Sequence, residues 1–360
     1  MSRYGINGVE TILYGVDDVA VCTRYFDDFG LILHDQSDAH AHFVLPEGSH
    51  VIIRHINDPL IPKSSIVGPG VQETIWGLNT QDGLDRLIRD LSVDREVRVD
   101  EDGTAHTFTD DGMAIGFRVF KKIPVISAPD PVNSPGNANR INQHRKWRTR
   151  AHPKTIQHVV FQMPDYEASW VFYRDRLGFL LSDIQRGFGI FARGDAAHDH
   201  HNIYFLNANL PFKGPGVWGM DGQIRFDHTN FGVDDVDEVM VGANYMERKG
   251  WPKSSWGLGR HRIASSIFMY LPCPTGGQAE YGADSDHLDD AWVPRTWNPM
   301  FGFFSFITNM APFMLDAAPW EVDFAPGYTP PRKEGAHGAP TASADGSDAA
   351  SKPATAGSDK

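Results

Sequence analysis

The chain repeats itself. Phe29-Gly30-Leu31 returns as Leu177-Gly178-Phe179, at an offset of 148 residues that also lays Tyr25 over Tyr173 and Asp17 over Asp165. In each copy a short apolar strand leads to a turn at the aspartate, an amphipathic helix, and a glycine where the helix ends. Further on, GLNTQDGLDRLIRDL follows one strand and GVDDVDEVMVGANYMERKG follows another. Strand–helix–strand–strand–strand modules in tandem predict a duplicated α+β architecture. The length of 360 residues fits two domains better than one, because it exceeds what a single core usually serves.

Composition marks the boundaries. Pro, Gly and Asn punctuate SAPDPVNSPGNAN before the basic stretch RINQHRKWR, as expected of a linker. From Pro330 onward there is no Val, Ile, Leu, Phe, Tyr or Trp to offset the entropy of ordering. The expected organisation is a first module at 1–126, a linker at 127–152, a second module at 153–328 and a disordered tail at 329–360. The formal charge of −13 argues against a nucleic-acid partner, which requires a Lys/Arg surface. Cys22 and Cys273 are too few for a disulfide framework, and the N-terminus lacks a signal-peptide layout. Met300 to Leu315 is apolar but short of the ~20 residues a spanning helix needs. A cytoplasmic protein without membrane contact is expected.

Three side chains in the second module have metal-ligand chemistry. His158 lies in the β-forming run TIQHVVF, His228 in IRFDHTNF, and Glu280 two residues before a glycine in GGQAEYG. Two imidazoles and one carboxylate form the facial ligand set of non-haem Fe(II) sites, which leaves positions open for reactants. Each residue alone is more often a hydrogen-bonded structural one.

Context makes them a set. HVVFQMPD from His158, with the Phe172-Tyr173…Leu177-Gly178-Phe179 helix, DHTNF from Asp227, and the order Gly259-Arg260-His261…Tyr270…Pro274-Thr275-Gly276…Glu280-Tyr281-Gly282 resemble type I extradiol ring-cleavage dioxygenases. These belong to the vicinal oxygen chelate superfamily. The resemblance covers residues 5 to 300 at fold level, with its specific motifs between His158 and Gly282. It implies two domains, each an incomplete barrel of mixed sheet. It implies Fe(II), with Mn(II) also open, held by His158, His228 and Glu280. It further implies a catechol-type diol cleaved beside its hydroxyls with O2 to a ring-opened semialdehyde-type acid, and a homo-oligomer. His261 and Tyr270 match positions that contact the diol, and His201 best matches the acid–base histidine, with His200 the alternative. An imidazole suits that task because it titrates near working pH. After His261 the chain reads Arg262-Ile263-Ala264, where the family often has polar residues.

The first module is an internal control. The offset puts Glu10 at the place of His158, and aligned glycines put Glu73 at that of His228 and Gly116 at that of Glu280. This half therefore keeps the fold without the ligand set. Two rivals remain: a glyoxalase-type isomerase or lyase of the same superfamily, and a non-catalytic protein that binds aromatics. Trp218, Trp256, Phe301, Phe303 and Phe304 are candidate pocket walls, and Trp292 to Tyr328 a candidate cap. Monocyclic, bicyclic and trihydroxylated diols all stay open, as does proximal against distal cleavage.

Overall fold

A computed structural model describes residues 2–328; the expected tail, 329–360, lies outside the described residues. The first half runs β1 (Ile6–Val16), α1 (Val19–Phe29), β2 (Ile32–Gln36), β3 (His40–Val44), β4 (His50–His55), then β5 (Gly70–Leu78), α2 (Gln81–Leu91), β6 (Arg98–Val99), β7 (Ala105–Phe108) and β8 (Ala114–Val119). The second half repeats the order. It runs β9 (Thr155–Met163), α3 (Tyr166–Leu177), β10 (Leu180–Gln185), β11 (Gly189–Arg193), β12 (Ile203–Asn207), then β13 (Arg225–Gly232), α4 (Val236–Arg248), β14 (Gly259–Arg260), β15 (Ile267–Pro272) and β16 (Gln278–Ala283). Each half is thus a pair of βαβββ units.

The sheets are mixed and open. The first has the order β2-β3-β4-β1-β5-β8-β7-β6. The second has the same core order, β10-β11-β12-β9 joined to β13-β16-β15-β14. In both, the first strand of a unit pairs parallel with its last, and the two first strands join antiparallel. The strands β1, β5, β9 and β13, at the centre of their sheets, are buried along nearly their whole length, polar residues included.

The helix ends show why the repeat is visible in the sequence, and one place where it slips. Gly30 and Gly178 both close their helices in the left-handed region, at φ 111° and 75°. A β-carbon resists that conformation, so glycine is favoured. At the other end the offset pairs Asp17 with Asp165, yet the residue that caps α1 is Asp18, whose side chain accepts from the Val21 N–H. Asp165 caps α3 through the Ala168 N–H. The correction is one residue, because α1 has 11 residues and α3 has 12.

The halves clasp each other reciprocally. Asp195, in the second half, accepts from the Ile6 N–H at 2.6 Å at the start of β1. Glu47, in the first, accepts from the Ile156 N–H at 2.7 Å near the start of β9. Phe29 of α1 stacks on Tyr281 of β16 at 4.0 Å, and the Tyr281 hydroxyl donates to the Phe29 carbonyl at 2.6 Å. Trp76 of β5 packs edge-on against Phe179 at 4.9 Å. The resulting core is continuous from one half to the other.

After β16 the chain returns to the second sheet. β17 (Arg295–Trp297) pairs with β10, then α5 (Pro299–Phe303), β18 (Phe306–Ile307) and β19 (Val322–Phe324) follow. The apolar run expected to pack rather than span does so: Ile307, Ala311 and Met314 form a cluster with Phe268 and Tyr270 of β15. No helix among the described residues is long and apolar enough to cross a membrane.

Candidate metal centre

Strand register assembles the three donors. His158 on β9 and Glu280 on β16 both lie opposite Asn230 of β13, which carries His228 two residues earlier. Side chains two apart on a strand share a face, as do directly paired residues, so all three project from one face of the second sheet. His158 Nε2 and His228 Nε2 are 3.3 Å apart, and each is 3.4 Å from Glu280 Oε2. All three residues are buried. Glu280 Oε2 has no hydrogen-bond partner despite its burial, which is costly unless something else satisfies it. Donors about 2.1 Å from one cation at neighbouring positions would sit about 3.0 to 3.4 Å apart. The set therefore fits a divalent cation.

The surrounding groups set the protonation states. His228 Nδ1 donates to Asp227 Oδ1 at 2.7 Å, which leaves the Nε2 lone pair directed at the centre. Asp227 is held in turn by Gln162, whose amide donates to Oδ2 at 2.7 Å. Burial pushes the His158 imidazole below its usual value. Burial opposes charge on Glu280, but the His158 and His228 imidazoles outweigh it and keep its carboxyl below the ordinary range. Two neutral imidazoles and a carboxylate are the forms that bind a metal.

The three other expected residues surround this cluster. His201 stacks on the His158 ring at 4.0 Å, and both it and His200 line the cavity. His200 instead addresses Asp183: Nε2 donates to the carboxylate at 3.1 Å, and Nδ1 faces His201 Nδ1 at 3.1 Å. With His200 Nδ1 as acceptor, His201 Nδ1 carries the proton and its Nε2 is the basic nitrogen. Tyr270 and His261 meet directly. His261 Nδ1 donates to the Phe303 carbonyl, so its Nε2 accepts from the Tyr270 hydroxyl at 3.1 Å. Burial lowers His201 well below the usual value and His261 to about 4, and raises Tyr270 well above its own. All three are neutral near pH 7.

The cavity beyond the donors is apolar and aromatic. Phe188, Phe191, Phe212, Trp256, Phe303 and Phe313 contribute to its walls, the last two from the segment after β16. Trp218 also lines it, whereas Phe301 and Phe304 do not. No Lys or Arg lines it among the described residues. Arg262, beside the site in sequence, turns away; its guanidinium donates to the Phe301 carbonyl at 2.8 Å and lies over the Phe301 ring. Ala264 sits in a tight turn at φ 66°.

Sequence reading missed Asp183, Asp227 and Gln162. Asp227 is adjacent to His228, which is a usable signal. Asp183 is 17 residues from His200, and only strand register joins them. In the first half, Ile75 pairs with Gly116 as Asn230 pairs with Glu280, so Glu73 occupies the place of His228 and Gly116 that of Glu280. On β1 a register shift puts Thr11, one residue beyond Glu10, opposite Ile75. Glu73 is engaged by His106 at 2.7 Å, on the strand position that Tyr270 holds in the second half.

The architecture is that of the vicinal oxygen chelate proteins, in the two-domain arrangement of the extradiol dioxygenases. Solved structures of this fold include BphC, a halotolerant catechol dioxygenase, with a TM-score of 0.64 at 16% identity over 89% of this chain and 100% of that one. The Mn(II)-bound glyoxalase from Novosphingobium aromaticivorans gives 0.63 at 21% identity over 91% of this chain and 98% of that one. At these identities the likeness concerns the fold. In sequence, the chain is 29% identical over 188 residues to metapyrocatechase 2 of Cupriavidus necator, covering 51% of this chain and 54% of that protein. The chain thus spans about half the length of that curated relative. No family model matches the chain.

Proposed function

We propose that the protein is a non-haem Fe(II)-dependent extradiol dioxygenase that cleaves a catechol-type diol with O2 to a ring-opened semialdehyde-type acid. The observation that carries this reading is the convergence of His158, His228 and Glu280 at 3.3 to 3.4 Å, facing an aromatic-walled cavity. Those three residues would hold the metal, with Mn(II) the alternative. Bound there, the metal would bring diol and O2 side by side and supply a charge sink.

The protein's own groups handle protons and position. His201, against His158 and with Nε2 unprotonated, is placed to accept a diol proton and return it later. The His200–Asp183 pair fixes its tautomer. Tyr270, donating to His261, presents a hydroxyl oxygen toward the ring-binding space. The aromatic walls exclude water from the reacting centre.

The same walls favour an uncharged diol bearing an apolar substituent. An aromatic substituent finds stacking partners in Phe188, Phe212 and Phe313, while a carboxylate finds no cation and faces Asp199 and Asp227. We also place the protein in a reducing cytoplasm, supported by its two buried unpaired thiols. A homo-oligomer is supported by the large apolar side chains exposed on the single chain, such as Trp147 and Trp320.

The test is anaerobic reconstitution with Fe(II), then oxygen uptake across a panel of plain, aryl-substituted and carboxylated catechols. Oxygen uptake with a yellow ring-opened product is expected. If no diol consumes oxygen, the proposal fails; a glyoxalase-type enzyme would turn over equally without O2.

A further inference from the structure

The first half carries a histidine cluster unrelated to the catalytic reading. On β3, His40, His42 and Val44 alternate with buried Ala41 and Phe43, so both histidines lie on the face turned away from those core residues. His50 of β4 lies diagonal to His42 on that face. A register shift in β2 between Leu33 and Asp35 makes His34 the extra residue and places Asp35 opposite His42.

The contacts resolve into ligands and supports. His42 Nδ1 is 3.1 Å and His34 Nε2 4.0 Å from Asp35 Oδ2. One ligand atom from each of the three residues lies within 4.8 Å of the others. The second Asp35 oxygen is taken by His40 Nε2 at 2.7 Å, and Ser37 holds the far side of that ring at 2.8 Å. Behind His42, Nε2 meets His50 Nδ1 at 2.9 Å, and His50 Nε2 faces the buried Glu10 carboxylate at 3.6 Å. A metal-binding imidazole is oriented by anchoring its other N–H, commonly on a carboxylate. Here His50 anchors His42, with the Glu10 carboxylate beyond it. The ring pairs His34–His42 and His42–His50 are both 5.0 Å apart.

We propose that His34, Asp35 and His42 form a second site, for a divalent transition-metal ion of the nickel, copper or zinc type, completed by water. Exposure of His34 and Asp35 leaves room for those waters. Two imidazoles and one carboxylate suit such ions better than calcium or magnesium, which prefer all-oxygen shells.

The probe is Ni2+ alone, equilibrated by dialysis against the full chain and counted by metal analysis. The wild type is expected to hold one equivalent more than the His34→Ala/His42→Ala double variant. A His158→Ala/His228→Ala variant is expected to keep that equivalent, which separates this site from the catalytic one. His50→Gln should weaken the site about tenfold or more by freeing His42. Circular dichroism and unchanged catalytic activity of the His34/His42 variant report that it is folded. Ni2+ uptake unaffected by the His34/His42 substitutions overturns the proposal.

Discussion

At the scale of single residues, the proposal assigns separate work to neighbours in contact. His201→Phe keeps a flat ring against His158 but has no nitrogen to take a proton. It is expected to retain metal in elemental analysis while turnover falls about a hundredfold to ten-thousandfold. Asp227→Asn replaces the carboxylate that accepts from His228 Nδ1. It is expected to weaken Fe(II) binding about tenfold to a hundredfold, measured by competition with a chelator. The convergence of His158, His228 and Glu280 was legible in the sequence because each sits in a phrase with its own strand and glycine context. Their supports were not. Asp183 reaches His200, and Gln162 reaches Asp227, only across strands whose register no local pattern specifies.

At the scale of elements, the repeat was legible because it is written in residues with strong backbone preferences. Gly30 shows how much rests on one of them. A β-carbon there would lie 2.2 Å from the Ala151 carbonyl oxygen, in backbone already at φ 111°. Gly178 closes α3 against Arg3, the residue 148 positions before Ala151, so each helix end receives the chain entering the other half. Gly30→Ala is expected to cost about 2 kcal/mol or more in chemical unfolding. Gly103→Ala has the same sign of φ but open space around it, and should cost only about 1 kcal/mol. Equal losses would show that strain at φ, and not the contact with Ala151, decides the effect. The one-residue slips at Asp18 and Thr11 were illegible, since a helix shortened by one residue and a shifted strand leave no mark in composition.

At the scale of the molecule, two similar halves have unlike fates. The second brings His158, His228 and Glu280 together beside a cavity with aromatic walls, while in the first Glu73 is engaged by His106 and a glycine, Gly116, stands at the place of Glu280. The cavity also sets the expected selectivity. Burying a carboxylate without a cation costs several kcal/mol, so a carboxylated catechol should show kcat/KM lower by about a hundredfold or more than an aryl-substituted one. The segment after β16 was readable as a candidate cap because it runs beyond the end of the module, and it contributes Phe303 and Phe313 to the walls; the turn of Arg262 away from the cavity, which leaves the walls without a cation, was not readable. The most direct test of the whole reading uses the Fe(II)-loaded protein, an aryl-substituted catechol and 18O2. Incorporation of both labelled atoms into a ring-opened product is expected, and is expected to vanish in Glu280→Ala along with bound iron. Turnover that proceeds without O2, or a product free of label, would contradict it.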